Sequence, residues 1–389
     1  MKLKKNQWLW TGANLCRFLL AVTFVFSGTV KLIDPRGAQY KIEDYVALVG
    51  VTNLQEYGIS LLLAIGLALL EFYVGFNLFF GIRRRTTTRL ALVLLLVMTP
   101  ITFMLAVLNL HMDCGCFGDA IVLTNWQTFG KNLILLVAAV VAVLHFRRFT
   151  RLISEGNQWM LSIYALVFAL FFALYNLRYL PIVDFRPYHI GVDLPKAIAT
   201  DWENGEMQYA DFVLQDTNGE DITLQWLERP GYKFLLVAPY LENADDGSMD
   251  RINAIYDYAQ AKGYPFLGVT SSLLEDIERW KDLTGAEYEF AQVDGTALKT
   301  VIRSNPGLLL FHDGVIYQKW SCNELPQMEQ QYEPLERLQI GRLQQGHRIR
   351  HTVRLLLWFI LPLLCCTLID RIWVGRKLYK KHKQHKVIN

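Results

Sequence analysis

Apolar and polar residues are sorted along this chain into long blocks rather than short alternations. Six apolar runs each approach the ~20 residues that a membrane-crossing helix needs. They extend roughly from Asn14 to Ile33, Tyr57 to Ile82, Arg89 to Leu110, Phe129 to Phe146, Trp159 to Leu180 and Val353 to Ile369. Any one of them could be a buried helix of a soluble protein. Six together, two of them flanked by arginine clusters, predict membrane spans. Between the fifth and sixth runs, from about Pro181 to Arg350, the pattern becomes that of an ordinary soluble domain. The first run follows Lys2, Lys4 and Lys5, as a signal peptide would. But it is long, holds Lys31 and ends in Ile33-Asp34-Pro35-Arg36 without a small-residue cleavage site, so it reads as a retained helix.

Composition agrees with this division. Of 389 residues, 52% are hydrophobic and 19% charged, against roughly 25% charged in soluble domains. The net charge of +3 carries little meaning, because the positive residues gather at a few membrane borders. Membrane lipid is therefore an expected partner, and nucleic acid is not.

Lysine and arginine in short connections set the orientation. Arg17 joins the three N-terminal lysines. The second connection carries Arg83, Arg84, Arg85 and Arg89, and the fourth Arg147, Arg148 and Arg151. The tail carries Arg376, Lys377, Lys380, Lys381, Lys383 and Lys386. With six spans all four groups fall on one side, which is then cytoplasmic together with both termini. The third connection, His111 to Gln127, has no Lys or Arg and falls outside, with the soluble domain. Arg342, Arg348, Arg350 and Arg354, before the sixth run, dissent from this rule but are outnumbered by the tail. The expected location is a bacterial inner membrane, with the soluble domain periplasmic.

Within the soluble segment, Ala210 to Leu224 reads as two short strands around an Asn218-Gly219 turn. Tyr232 to Ala238 reads as a buried strand, and Ser248 to Lys262 as a helix that Ser248 could cap. A strand at Tyr264 to Val269 and helices at Leu274 to Leu283 and Thr296 to Ile302 follow. Gly307 to Phe311 and Gly314 to Trp320 pair as a hairpin. Strands alternating with helices imply a parallel core with an antiparallel edge. This order, over roughly Tyr209 to Trp320, resembles the thioredoxin-like fold of the TlpA and peroxiredoxin type. Pro306 sits where that family carries its cis-proline. The departure is chemical. The stretch Pro239 to Met249, where the family has Cys-x-x-Cys, holds no cysteine and instead carries Glu242, Asp245 and Asp246. The usual dithiol exchange is thus excluded for this domain. Its sole cysteine, Cys322, reads as structural.

Three of the six cysteines, Cys16, Cys365 and Cys366, fall in or beside apolar runs and read as packing residues. Cys114 and Cys116 differ. They lie in His111-Met-Asp113-Cys114-Gly115-Cys116-Phe-Gly-Asp119, at the outer end of the third span. An oxidising compartment there permits a disulfide, and Gly115 allows the backbone dihedrals of so small a ring. Asp113 and Asp119 would raise a thiol pKa, and a protonated His111 would lower it. Redox chemistry, a structural disulfide and a metal site all remain open. The one-residue gap is shorter than the usual zinc spacing of Cys-x₂₋₄-Cys. Lys31, Asp34 and Glu71 are ionisable groups in or at the ends of spans, where charge is costly and usually faces the bundle interior. Lys31 could alternatively snorkel to the surface. Glu71, in mid-run, calls for a buried partner or a functional role.

The first four runs resemble the DoxX-like superfamily and its MauE (methylamine utilisation) branch. The resemblance rests on Phe26-Ser27-Gly28-Thr-Val-Lys31-Leu32-Ile-Asp34-Pro35 and the amphipathic segment from Tyr40 to Tyr45 onward. It rests further on Glu71, Gly75 and Gly81 in the second run, and on Asp113-Cys114-Gly115-Cys116-Phe117-Gly118-Asp119. It implies a four-helix membrane bundle and a role in making or maintaining disulfides, with a periplasmic client or redox partner. Cys114, Cys116, Asp113, Asp119, His111 and Glu71 are then the candidate site residues. A membrane quinone is the candidate cofactor, and no metal is assigned. The expected layout is a DoxX/MauE-like domain at 1–150, a fifth span at 151–182, a thioredoxin-like domain without Cys-x-x-Cys at 183–345, and a sixth span with a basic tail at 346–389. The fold class expected is an all-α membrane protein with an inserted α/β domain. Such a chain is a membrane thiol–disulfide oxidoreductase, an accessory to one, or a non-catalytic assembly factor whose outer domain binds a protein.

Overall fold

A computed structural model of the protein describes residues 2–48, 58–108, 115–204, 208–209, 211–328, 332–343 and 345–388. His111, Asp113 and Cys114 lie outside the described residues. The chain divides into two compact units. One is Met1–Asn176 with Val353–Asn389, and the other Leu177–Thr352.

The first unit is helical. Its elements are α1 (Lys2–Ile33), α2 (Pro35–Leu48), α3 (Ile59–Phe80), α4 (Arg84–Val107), α5 (Asn125–His145) and most of α6 (Gln158–Arg178). Six helices among the described residues are long and apolar enough to cross a membrane. The last is Thr352–Lys377, within the long C-terminal helix. The amphipathic segment after Asp34 forms α2. Pro35 opens it, where a missing N–H costs nothing, and the Asp34 carboxylate accepts from Gly37 N at 2.8 Å. Thr124 and Gln127 form a reciprocal capping box at the start of α5.

The α1–α3 contact organises this unit. A Cβ on Gly28 would lie 2.5 Å from the backbone nitrogen of Phe72, and one on Gly75 2.4 Å from that of Val25. Without side chains at these two positions the helix backbones approach closely, the usual device for packing helices in lipid. Phe24, Val74, Leu78, Ala91 and Ala139 form one buried core. Leu32, Ala68, Phe72, Phe76 and Ala165 form another.

The second unit is built on a five-stranded mixed sheet. Its helices are α7 (Leu194–Asn204), α8 (Thr223–Leu227), α9 (Met249–Lys262), α10 (Leu274–Thr284) and α11 (Gly295–Val301). Its strands are β1 (Tyr232–Val237), β2 (Phe266–Thr270), β3 (Phe290–Gln292), β4 (Gly307–His312) and β5 (Val315–Ser321). The spatial order is β3-β2-β1-β4-β5. β1 pairs parallel with β2, and β2 with β3; β1–β4 and β4–β5 are antiparallel. Leu235 and Val237 pack into the core on one face of the sheet, Phe234 and Leu236 into the core on the other. Burial on both faces is why β1 reads as a continuous apolar run rather than an alternation. The long helix α12 (Gln345–Ile388) follows.

Three local expectations are corrected. The two strands expected over Ala210 to Leu224 reduce to single bridges of Gln215 with Asp221 and Gln292. The reason is side-chain competition for the backbone. Asp216 Oδ1 accepts from Asn218 N and Glu220 N, and Asp221 Oδ1 accepts from Thr223 N at the entry to α8. Ser248 does not cap α9; its hydroxyl is buried without a partner, while Asp245 caps the turn before it through Gly247 N. The short edge strand β3 and the helix α7 lie beyond the expected elements.

Candidate functional site

Ser27 and Lys31 stand one helical turn apart on α1, and Glu71 faces them from α3, where Gly28 and Gly75 let the two helices approach. All three are buried. Lys31 Nζ lies 2.7 Å from each carboxylate oxygen of Glu71 and 3.1 Å from Ser27 Oγ. Lys31 therefore turns inward and does not snorkel, and Glu71 has the buried partner its position demands. Ser27 Oγ has two acceptors in reach: Glu71 Oε2 at 2.7 Å and the carbonyl oxygen of Cys116 at 2.5 Å. A hydroxyl carries one proton, so Ser27 serves one of them at a time. The cluster thereby links the Glu71 carboxylate to the backbone of the cysteine loop.

That loop is fastened on several sides. Cys116 is disulfide-bonded. Gly115 and Gly118 take left-handed conformations, with φ of 59° and 51°. A Cβ at Gly115 would meet Lys41 Cγ at 3.2 Å, and one at Gly118 would meet Val30 Cγ1 at 2.9 Å. Both positions thus favour glycine for conformation, and Gly118 for space as well. The Phe117 ring packs edge-on against Phe26, with centroids 5.2 Å apart, and Lys131 Nζ stands 4.0 Å from its centroid. Lys131 is also within electrostatic reach of Lys31 and Glu71. Asp119 lies half-buried in the Gly118–Ala120 turn. Among the described residues no three His, Cys, Asp or Glu side chains are grouped to hold a metal ion.

Of the expected residues, the structure thus brings together Glu71 and Cys116, through Ser27 and Lys31 of α1, with Asp119 in the turn that follows Cys116. Lys41 and Lys131 were not anticipated as neighbours of the loop. Lys131 had a signal in the sequence, since it is the single charge inside the fourth apolar run, where a cation usually has a reason to be.

In the second unit, Cys322 sits at the loop that lacks cysteine. Its Sγ lies 3.6 Å from Asp245 Oδ2, and its backbone N donates to Ser304 Oγ at 3.1 Å. The Asn305-Pro306 peptide bond is cis. Asp245 N donates to Asn305 O at 3.0 Å and Asn305 Nδ2 to Tyr240 O at 2.7 Å. Burial pushes the Cys322 thiol above its ordinary pKa, and the neighbouring Asp245 carboxylate adds to the rise. A protonated thiol is a poor nucleophile.

No curated protein matches the chain. Residues 9–145 match the sequence model of a family described as methylamine utilisation protein MauE. The matched region takes in Ser27, Lys31, Glu71, Cys116 and Lys131. With six helices of membrane-crossing length and apolarity, this is a multi-pass membrane protein whose first four spans are similar to MauE.

Proposed function

We propose that this protein is a membrane accessory of disulfide chemistry, with Cys114 and Cys116 cycling between dithiol and disulfide at the outer membrane face. The observation that carries the reading is the pairing of a disulfide-bonded Cys116 with a buried Ser27–Lys31–Glu71 cluster that grips its carbonyl. The similarity of residues 9–145 to MauE supports an accessory role in the membrane. In the exchange step, a client thiolate attacks the Cys114–Cys116 disulfide and forms a mixed disulfide, which the second client thiolate resolves. The client leaves oxidised and the cysteine pair is left as a dithiol. Re-oxidation passes two electrons and two protons to an acceptor, for which a membrane quinone is the chemical class. Glu71 and Ser27 offer a buried proton-sharing pair beside the loop. The distribution of Lys and Arg supports a periplasmic side for this loop and for the inserted domain.

The inserted domain is read as thioredoxin-like. The strand order β3-β2-β1-β4-β5 supports this. Without Cys-x-x-Cys it acts as a binding module for a client or partner. One observation favours a second reading, an assembly factor in which the cysteine pair is only a clasp: the domain holds no dithiol, and its single thiol is pushed toward the protonated form.

Differential alkylation of native membranes followed by mass spectrometry tests the proposal. Cys114 and Cys116 are expected to appear in both redox states, and Cys116→Ser is expected to change client disulfides. A pair that stays oxidised under every condition, with clients unaffected by the substitution, leaves the clasp reading standing instead.

A further inference from the structure

Ten residues before Ser27 on α1, about 15 Å along the helix axis, stands Arg17. Its side chain is fully buried. Nη1 donates to the carbonyl oxygen of Thr150, and that oxygen comes close because Gly81 has no Cβ to obstruct it. Nε and Nη2 have no partner. The guanidinium carbon lies 4.3 Å from the ring centroid of Phe18 and 5.4 Å from that of Phe149.

Buried cations are normally paired, but the charged neighbour that bears on Arg17 has its own sign. That charge is Arg84, which in turn lies near Arg151 and Glu155. Arg84 uses Nη1 on the carbonyls of Arg147 and Phe149, and Glu155 pairs with Arg151. Arg84 and Arg151 thus share Glu155, which is already paired with Arg151, and the Arg371 guanidinium reaches the carbonyls of Arg151 and Leu152 of the same connection. The two orphan nitrogens lie side by side on one edge of the Arg17 guanidinium, the edge that takes two oxygens of one anion in a bidentate fork. Phe18, whose ring lies over the guanidinium, is 36% exposed.

We propose that Arg17 anchors a site for a phosphate anion, with Arg84 as the second cation. Arg83, Arg84, Arg85, Arg147, Arg148 and Arg151 gather at this end of the helices, where a bilayer presents its headgroups. The anion is then the phosphodiester of an acidic phospholipid, or free phosphate of the same chemistry. Occupying the site satisfies the orphan donors and ties α1 to the connection that follows α5.

Native mass spectrometry of the full chain distinguishes the sources. The protein is released from nanodiscs of phosphatidylcholine with and without phosphatidylglycerol, and separately from phosphatidylcholine in inorganic phosphate. Wild type is expected to retain phosphatidylglycerol over phosphatidylcholine. Arg17→Gln should weaken retention about tenfold, as the loss of one forked, charge-assisted contact implies. Arg17→Lys keeps the charge without the fork and should lie between the two. Arg89→Gln, an exposed arginine of the same helix end, should retain lipid as wild type does. Retention of phosphate alone, lost in Arg17→Gln, supports the site with the free anion as its occupant. Equal retention by wild type and Arg17→Lys, or no preference for either anion over phosphatidylcholine, overturns it. The lysine variant keeps the test decisive if the glutamine variant fails to fold.

Discussion

The Lys31 ammonium and the Glu71 carboxylate, forty residues apart in sequence, meet at 2.7 Å with both oxygens engaged. The pair is connected through the Ser27 hydroxyl to the carbonyl of Cys116. Removing one partner strands the other charge in an apolar interior. Glu71→Ala and Lys31→Ala are each expected to cost about 3–5 kcal/mol, read as a lowered melting temperature in detergent. Lys31→Met with Glu71→Leu should recover most of that loss, because two apolar side chains leave no orphan charge. If the double variant is as unstable as the singles, the pair is not the source of the cost.

The close approach of α1 and α3 depends on Gly28 and Gly75. Gly28→Ala and Gly75→Ala place a Cβ within 2.5 Å and 2.4 Å of a facing backbone nitrogen. Each should cost about 1–3 kcal/mol through overpacking and should also draw Glu71 away from Lys31. Gly66→Ala, on the same helix α3 with nothing within 4 Å of the added carbon, is the control. It should be neutral or raise stability by about 0.5–1 kcal/mol through helix propensity. Thermal unfolding of the three variants side by side checks this.

Ser27 connects the ion pair to the cysteine loop. Ser27→Ala removes one buried hydroxyl, at a cost of about 1–3 kcal/mol because its partners are left unsatisfied. It also frees the Cys116 carbonyl. Reduction of the Cys116 disulfide by a small thiol should therefore be faster in Ser27→Ala than in wild type under conditions where both remain folded. An unchanged reduction rate would show that the hydroxyl does not restrain the loop.

Cys322 should alkylate slowly at neutral pH. Burial, and then the Asp245 carboxylate, hold its pKa above the ordinary thiol value, so the thiolate fraction stays small until the pH rises past that value. The sign is that of an acid disfavoured in its charged form: reactivity increases with pH, and its midpoint lies higher in the folded protein than in the unfolded chain. Asp245→Asn removes a like charge and should move the midpoint down. Iodoacetamide rates across a pH series measure both effects.

In the second unit, Asp184 holds two buried cations. Its oxygens lie 2.8 Å from Lys319 Nζ and 2.8 Å from Arg186 Nε. Asp184→Ala leaves both without their counter-ion and is expected to cost about 3–5 kcal/mol. Denaturation of the full chain followed by the circular dichroism of its strands and helices would register the loss.

Much of the architecture could be read from the sequence, because lipid imposes length. A span needs about twenty apolar residues, and six such runs stand out without knowledge of any contact. The buried strands were legible for a similar reason: β1, β2 and β4 are short, largely apolar runs, a pattern that burial on both faces dictates. The segment at Ala210 to Leu224 was misread because its alternation suits a strand while Asp216 and Asp221 capture the backbone locally. Composition marked Glu71 and Lys31 as costly where they stand, and therefore as groups in need of partners. It could not join them, since a hydrophobic pattern carries no register between helices. Gly28 and Gly75 were visible as glycines, but only packing revealed that each faces a backbone nitrogen and sets the depth at which α3 meets α1. That depth decides that Glu71 reaches Lys31 and Ser27, and that Ser27 reaches the carbonyl of Cys116. Such contacts depend on distances of a few ångströms between residues far apart in the chain, and only the folded arrangement fixes those.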